Sequence, residues 1–179
     1  MKWGFWRTPG NTALKSSGHT DFDMELIEIT GETEVSKAGV LLKGIAKIDS
    51  DVFGESRWGR EAFYENIHNP YDHLIAAVEA AEDGTEVSGY ALLRVLQDAE
   101  VIMIAVKTGM RRQGTGRKLA KKLIELAESD GAESIFLEVR ESNIPAIGMY
   151  EELGFTVFGR RKGYYSSPRE DALIMRYIC

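Results

Sequence analysis

The chain has 179 residues, 44% apolar and 28% charged, enough for one domain with its own core. A net charge of −6 argues against a nucleic-acid partner, and no apolar run approaches the ~20 residues of a membrane span. The single cysteine, Cys179, excludes an internal disulfide, and His19, His68 and His73 stand at no metal-ligand spacing, so no metal and a reducing, cytoplasmic setting are expected.

Residues 1–23 are rich in Gly, Ser, Thr and Asn without periodicity and read as a flexible leader, with one domain over 24–179. Met24–Ile29 predicts a first strand. Between Glu34 and Ile48, Val35, Ala38, Leu41, Leu42, Ile45 and Ile48 recur at helical spacing. After the loop Phe53–Trp58, a second helix is expected over Gly59–Asn66, closed by Pro70. Leu74–Glu79 and Val87–Leu96 read as a hairpin about Glu82–Thr85, and a third strand ends in the unbroken apolar run Val101–Val106. Leu119, Leu123, Leu126 and Ala127 then share one helix face, with Gly131 just past its end. Ser134–Val139 is a short β-rich run. Ser142-Asn143 provides an N-cap, Pro145 falls in the first turn and Gly154 stops the helix. Two last strands, Phe155–Phe158 and Ala172–Ile178, flank a loop bearing Tyr164 and Tyr165. The order predicts a single α/β domain.

The most informative stretch is Arg111-Arg112-Gln113-Gly114-Thr115-Gly116, a basic glycine turn between a buried strand and a helix. Backbone N–H groups at a helix start lack intrahelical partners, and the helix dipole favours an anion there. From Arg111 to Lys122 there are six basic residues and no acidic one. A phosphorylated cofactor is expected at this turn. The dinucleotide pattern of three spaced glycines is incomplete here, and the P-loop pattern lacks its lysine.

Arg-x-x-Gly-x-Gly resembles the coenzyme A turn of the GCN5-related N-acetyltransferase (GNAT) superfamily. Over residues 100–176 the chain is similar to its RimI-type branch, the N-terminal alanine acetyltransferases of ribosomal proteins. The matching words are Ile104-Ala105-Val106, Arg111–Arg117, Leu137–Arg140, Ser142-Asn143, Met149-Tyr150, Leu153–Phe155, Arg160-Arg161, Tyr164-Tyr165 and Arg169–Ala172. Phe53 and Trp58 echo the family's front-end loop. Gly163 looks inserted and the Ser166–Pro168 tip shortened, both where family members contact the acceptor. The resemblance implies a GNAT-like fold, a mixed twisted sheet of about seven strands flanked by about four helices. It also implies acetyl-CoA as cofactor, a protein N-terminus as acceptor (a ribosomal protein beginning with alanine) and a monomer or homodimer.

Site roles follow residue by residue. Ile104, Ala105 and Val106 pack as core while, by resemblance, their backbone pairs with the pantetheine arm. Arg111, Arg112, Gln113, Gly114, Thr115, Gly116 and Arg117 would hold the pyrophosphate. Glu138 reads either as an exposed strand glutamate paired with Arg140 or, as the resemblance implies, as the general base. Tyr150 reads as helix core or as the acid that protonates the departing thiolate. Asn143 is an N-cap that in the family also bonds the cofactor. Trp58, Tyr164 and Tyr165 are the expected acceptor contacts. An α-amino group, with a pKa of about 7.7–8.0, is roughly a tenth neutral at pH 7, so a glutamate base has a modest task. Acetylation of a lysine, a polyamine or a small-molecule amine is the alternative, and a non-catalytic coenzyme A-binding module is a third reading.

Overall fold

The computed structural model describes residues 24–81 and 84–179; the expected leader 1–23 and part of the Glu82–Thr85 turn lie outside the described residues. The strands are β1 (Glu25–Ile29), β2 (Asp72–Ala81), β3 (Gly84–Val95), β4 (Ala99–Val106), β5 (Ser134–Arg140), β6 (Thr156–Ser166) and β7 (Arg169–Ile178). The helices are α1 (Val35–Phe53), α2 (Arg60–Asn66), α3 (Thr115–Ser129) and α4 (Ile144–Glu152). All seven strands form one sheet in the order β1-β2-β3-β4-β5-β7-β6. Every neighbouring pair is antiparallel except β4 with β5.

Strand alternation gives the sheet two apolar faces, each covered by helices. Ile75, Ala77, Ala91 and Leu93 face α3 and α4, where Leu119, Leu123, Ala127 and Tyr150 meet them. Leu74, Ala76, Tyr90 and Leu92 face α1 and α2, meeting Leu41, Leu42, Ile45 and Phe63. Each fully buried Leu or Ile contributes about 1.5–3 kcal/mol of transfer free energy, so the α3 and α1 stripes anchor the helices. Asp72 joins the strands laterally: its side chain is fully buried and takes Arg94 bidentately at 2.6 and 2.8 Å.

Three elements depart from the sequence expectation. α1 continues past Ile48 to Phe53, because Asp49 is buried among polar partners and keeps the stripe going. α3 begins at Thr115 rather than Leu119, so Thr115, Gly116 and Arg117 form its first turn, with Gly114 as N-cap. The tyrosine-bearing loop is strand: β6 runs through Tyr164 and Tyr165 to Ser166. The β6–β7 register slips between Arg161 and Tyr165, and Gly163, with φ +60°, sits in that bulge. Its left-handed backbone suits glycine, and its N–H donates to Asp171 Oδ1 at 2.8 Å. The residue that looked inserted is absorbed by the bulge.

Candidate active site

β4 and β5 pair only over Ala99↔Ile135, Glu100↔Phe136 and Val101↔Leu137, then part. A bulge in β4 opens the fork, since Leu92 pairs with Met103 and Leu93 with Val101, leaving Ile102 out of register. Beyond it, Ile104 and Val106 pack against the α3/α4 core and Ala105 is buried on the other face. The β5-facing backbone edge of Ile104–Val106 has no strand partner among the described residues.

At the outer end of the fork lies the glycine turn. Arg112 holds left-handed backbone (φ 66°), which costs a non-glycine residue about 1–2 kcal/mol. Gly114 follows with φ 90° and offers no side-chain cap, so the first amides of α3 are uncapped. A Cβ on Gly114 would meet nothing within 4 Å, and one on Gly116 only side-chain atoms of Val106 and Met149 at 3.7 Å. The cradle is open, amide-lined and flanked by exposed Arg111 and Arg112, which fits a diphosphate. Several side chains of the turn, Arg111 included, are already engaged. Arg111 Nε donates to Val106 O at 3.1 Å, and Gln113 Nε2 to Gly109 O at 3.3 Å. Thr115 is buried, and Arg117 clamps Glu152 of α4 at 2.5 and 2.7 Å. These residues therefore offer a ligand chiefly backbone and positive potential. Asn143 caps α4, its Oδ1 accepting from Ala146 N at 3.3 Å, which leaves its amide nitrogen as the available donor.

Glu138 stands at the inner end, one residue past the last β4–β5 pair. Leu137 and Val139 point into the α3/α4 core, so Glu138 projects from the opposite face. Its Oε1 meets Arg161 Nη1 at 2.8 Å rather than the Arg140 expected from sequence. Arg140 instead binds Glu170 at 3.1 Å and lies 4.0 Å over the Tyr165 ring. Tyr164 and Tyr165 meet edge to face at 5.1 Å. The Glu138 carboxylate raises the pKa of the Tyr164 phenol. Burial raises that of Tyr165. Tyr150 is buried at 7% exposure, packs on Phe155, and has its phenol pushed far above the ordinary value by burial and then by Tyr165. The structure thus links Glu138, Arg161, Tyr164, Tyr165 and Arg140 on the β5–β7–β6 side, while Tyr150 packs in the α3/α4 core on the helix that touches the glycine turn through Met149 and Glu152.

Trp58 is held separately. It stacks on Phe63 at 6.1 Å, and its backbone N–H and that of Gly59 donate to Asp49 Oδ2 at 2.7 and 3.2 Å. Tyr90 donates to the other oxygen at 2.8 Å, with burial and then this carboxylate driving its pKa upward. Asp49 is fully buried. Sequence reasoning missed it, and the signal was a carboxylate on the apolar stripe one turn after Ile45. Arg161, Arg140 and Glu170 lie within the matching words but were not read as site residues, because the partners that give them their roles stand on other strands.

A sheet forked between two parallel strands, with an amide cradle opening one helix, defines a coenzyme A-dependent acyltransferase. Residues 42–155 match the Acetyltransferase (GNAT) family, and the chain belongs to it; it is an acetyl-CoA-dependent N-acetyltransferase of the RimI-like kind. A relative from Escherichia coli (strain K12), the [Ribosomal protein bS18]-alanine N-acetyltransferase, is 36% identical over 66% of this chain and 78% of its own. The N-alpha-acetyltransferase RimI of Mycobacterium tuberculosis (strain ATCC 25618 / H37Rv) is 29% identical over 83% of this chain and 96% of its own. The crystal structure of the Escherichia coli ribosomal-protein-S18-alanine N-acetyltransferase aligns with a TM-score of 0.70 at 29% identity, covering 87% of this chain and 93% of that one. Arabidopsis thaliana NAA60 in complex with acetyl-CoA shares the fold, with a TM-score of 0.73 at 18% identity over 87% of this chain and 99% of that one. Among the described residues no helix is long and apolar enough to cross a membrane, and no group of metal-ligating side chains occurs.

Proposed function

We propose that this chain acetylates the α-amino group of an alanine that begins a ribosomal protein of the S18 type, with residues 24–179 as the catalytic unit. The name of the Escherichia coli relative supports that acceptor, and the name of the Mycobacterium tuberculosis relative supports transfer to an α-amino group. The observation that carries the mechanism is the position of Glu138, where the fork opens and a carboxylate faces the side of the sheet opposite Tyr150. Acetyl-CoA supplies the activated thioester. The amides from Arg112 to Arg117 hold its diphosphate, the edge of Ile104–Val106 that lacks a strand partner pairs its amide-bearing arm once Arg111 releases Val106 O, and Asn143 Nδ2 adds a donor. Glu138 takes the proton of the attacking amine, directly or through water. Tyr150 stands on the other face and donates its Oη hydrogen to the departing sulfur. Its raised pKa keeps that proton in place until charge develops, and the burial that raises the phenol raises a neighbouring thiol in the same direction. Tyr164 and Tyr165 cover the acceptor from the β6–β7 hairpin, and Trp58 bounds it from the α1–α2 side.

Acetyl-CoA turnover is compared for an alanine-initiated peptide, the same peptide blocked at its N-terminus, and spermidine. Turnover of the free peptide alone is expected. Equal or faster turnover of spermidine makes the enzyme a small-amine acetyltransferase instead, and turnover of no amine despite tight acetyl-CoA binding makes it a binding module.

A further inference from the structure

Arg140 and Arg161 lie beside Glu138 and its tyrosines, Arg160 neighbours them on the opposite face, and the three are held very differently. Arg140 bonds Glu170, two carbonyl oxygens of Ser167 and Pro168 at 3.1 and 3.3 Å, and the Tyr165 face. Arg160 binds both Glu141 and Asp171, at 2.5 and 3.5 Å. Arg161 has Glu138 as its sole ion-pair partner among the described residues, and its guanidinium lies 5.4 Å from the Tyr164 ring centre. Its side chain is 55% exposed, against 19% for Glu138. The register explains the reach: Arg161 and Arg140 both oppose Ala172, so Arg161 shares the Glu138 face, and the fully buried Ala172 methyl leaves room above it.

We propose that the Arg161 guanidinium occupies the seat of the acceptor's amino group, and that acceptor binding displaces it. Arg161 is then a specificity-determining residue, and this inference rests on the reading of Glu138 as the base. A guanidinium stays protonated at any working pH, so it can hold the carboxylate without yielding a proton or acting as nucleophile. Two cations on one carboxylate repel each other, so an arriving ammonium and Arg161 exclude one another. A half-exposed pair is weakly held, and the Tyr164 ring offers the released guanidinium a second seat. Exchange of cation for cation keeps the charge of the site constant, which favours acceptors that arrive as compact primary ammonium groups.

The test is the Arg161→Ala variant assayed with acetyl-CoA and an alanine-initiated peptide. The peptide KM is expected to fall about two- to fivefold, the range of a half-exposed ion pair, with the acetyl-CoA KM unchanged. Guanidinium chloride at about 20 mM, far below denaturing concentrations, competes with peptide in Arg161→Ala and hardly affects the wild type. Arg161→Lys is expected to retain the wild-type peptide KM. Should Arg161→Ala fold poorly, Arg161→Gln is read in the same way. A raised or unchanged peptide KM, or equal guanidinium inhibition of variant and wild type, overturns the inference. Wild-type kcat in Glu138→Gln sinks the base reading itself, whereas impaired Glu138→Gln with unchanged peptide KM in Arg161→Ala sinks the displacement alone.

Discussion

The cofactor half and the acceptor half of the site are built by different means. The cofactor half, from β4 through the turn to α3, is made of contiguous sequence with α4 packed beside it, and its geometry comes from backbone: a bulge, a left-handed turn and a helix start. The acceptor half is assembled from side chains far apart in the chain. Asp49 ties α1 to the Trp58 loop and to Tyr90, while Arg140, Glu170, Arg161 and Glu138 tie β5 to the β6–β7 hairpin. A phosphorylated thioester carrier needs amides and space, whereas one acceptor amine needs a placed charge and a defined wall. The two halves should therefore fail separately when perturbed.

The largest effect is expected at Glu138, on the seam between them. Glu138→Gln lowers kcat about 10²–10⁴-fold, measured by thioester consumption, while calorimetry gives an unchanged acetyl-CoA Kd. Tyr150→Phe lowers kcat by roughly 10², again with little change in cofactor affinity. Gly114→Ala strikes the cofactor half alone. A side chain at φ 90° strains the turn, so the acetyl-CoA Kd rises about tenfold, the equivalent of ~1.4 kcal/mol, at constant peptide KM. Asp49→Ala strikes the acceptor half, leaving the Trp58 and Gly59 amides and the Tyr90 hydroxyl without their partner. Stability drops by about 1–3 kcal/mol in denaturant titration, and peptide KM rises while acetyl-CoA Kd holds.

The smallest effect lies outside both halves. His73 bridges Glu28 at 2.7 Å and Asp130 at 2.8 Å; burial pulls its pKa down, but these two carboxylates outweigh burial and raise it. A raised histidine contributes stability that is complete below about pH 6.5 and is lost as pH rises through the folded-state value. Tm should fall across that window in the wild type and stay flatter in His73→Gln. Equal slopes would remove the bridge from the stability balance.

The same division explains what could be read from sequence. The glycine turn, the α3 stripe, the Asn143 cap and the Gly154 stop are local rules, and each was legible. Even there, the start of α3 was misplaced because Thr115 and Gly116 look like loop, while Gly114 as N-cap makes them helix. Glu138 was legible through its family word but its partner was not, since Arg161 reaches it from β6 across the intervening β7. The tyrosine pair was read as loop between two short strands; antiparallel pairing with β7 makes it strand and takes up Gly163 as a bulge. Asp49 was hidden because its importance lies in donors from residues 58, 59 and 90.

The most direct measurement locates the transferred group. Tandem mass spectrometry is applied to an alanine-initiated peptide containing one internal lysine, after incubation with the enzyme and acetyl-CoA. Acetyl on the α-nitrogen with the lysine untouched is the predicted product; acetyl on the lysine with a free α-nitrogen contradicts it.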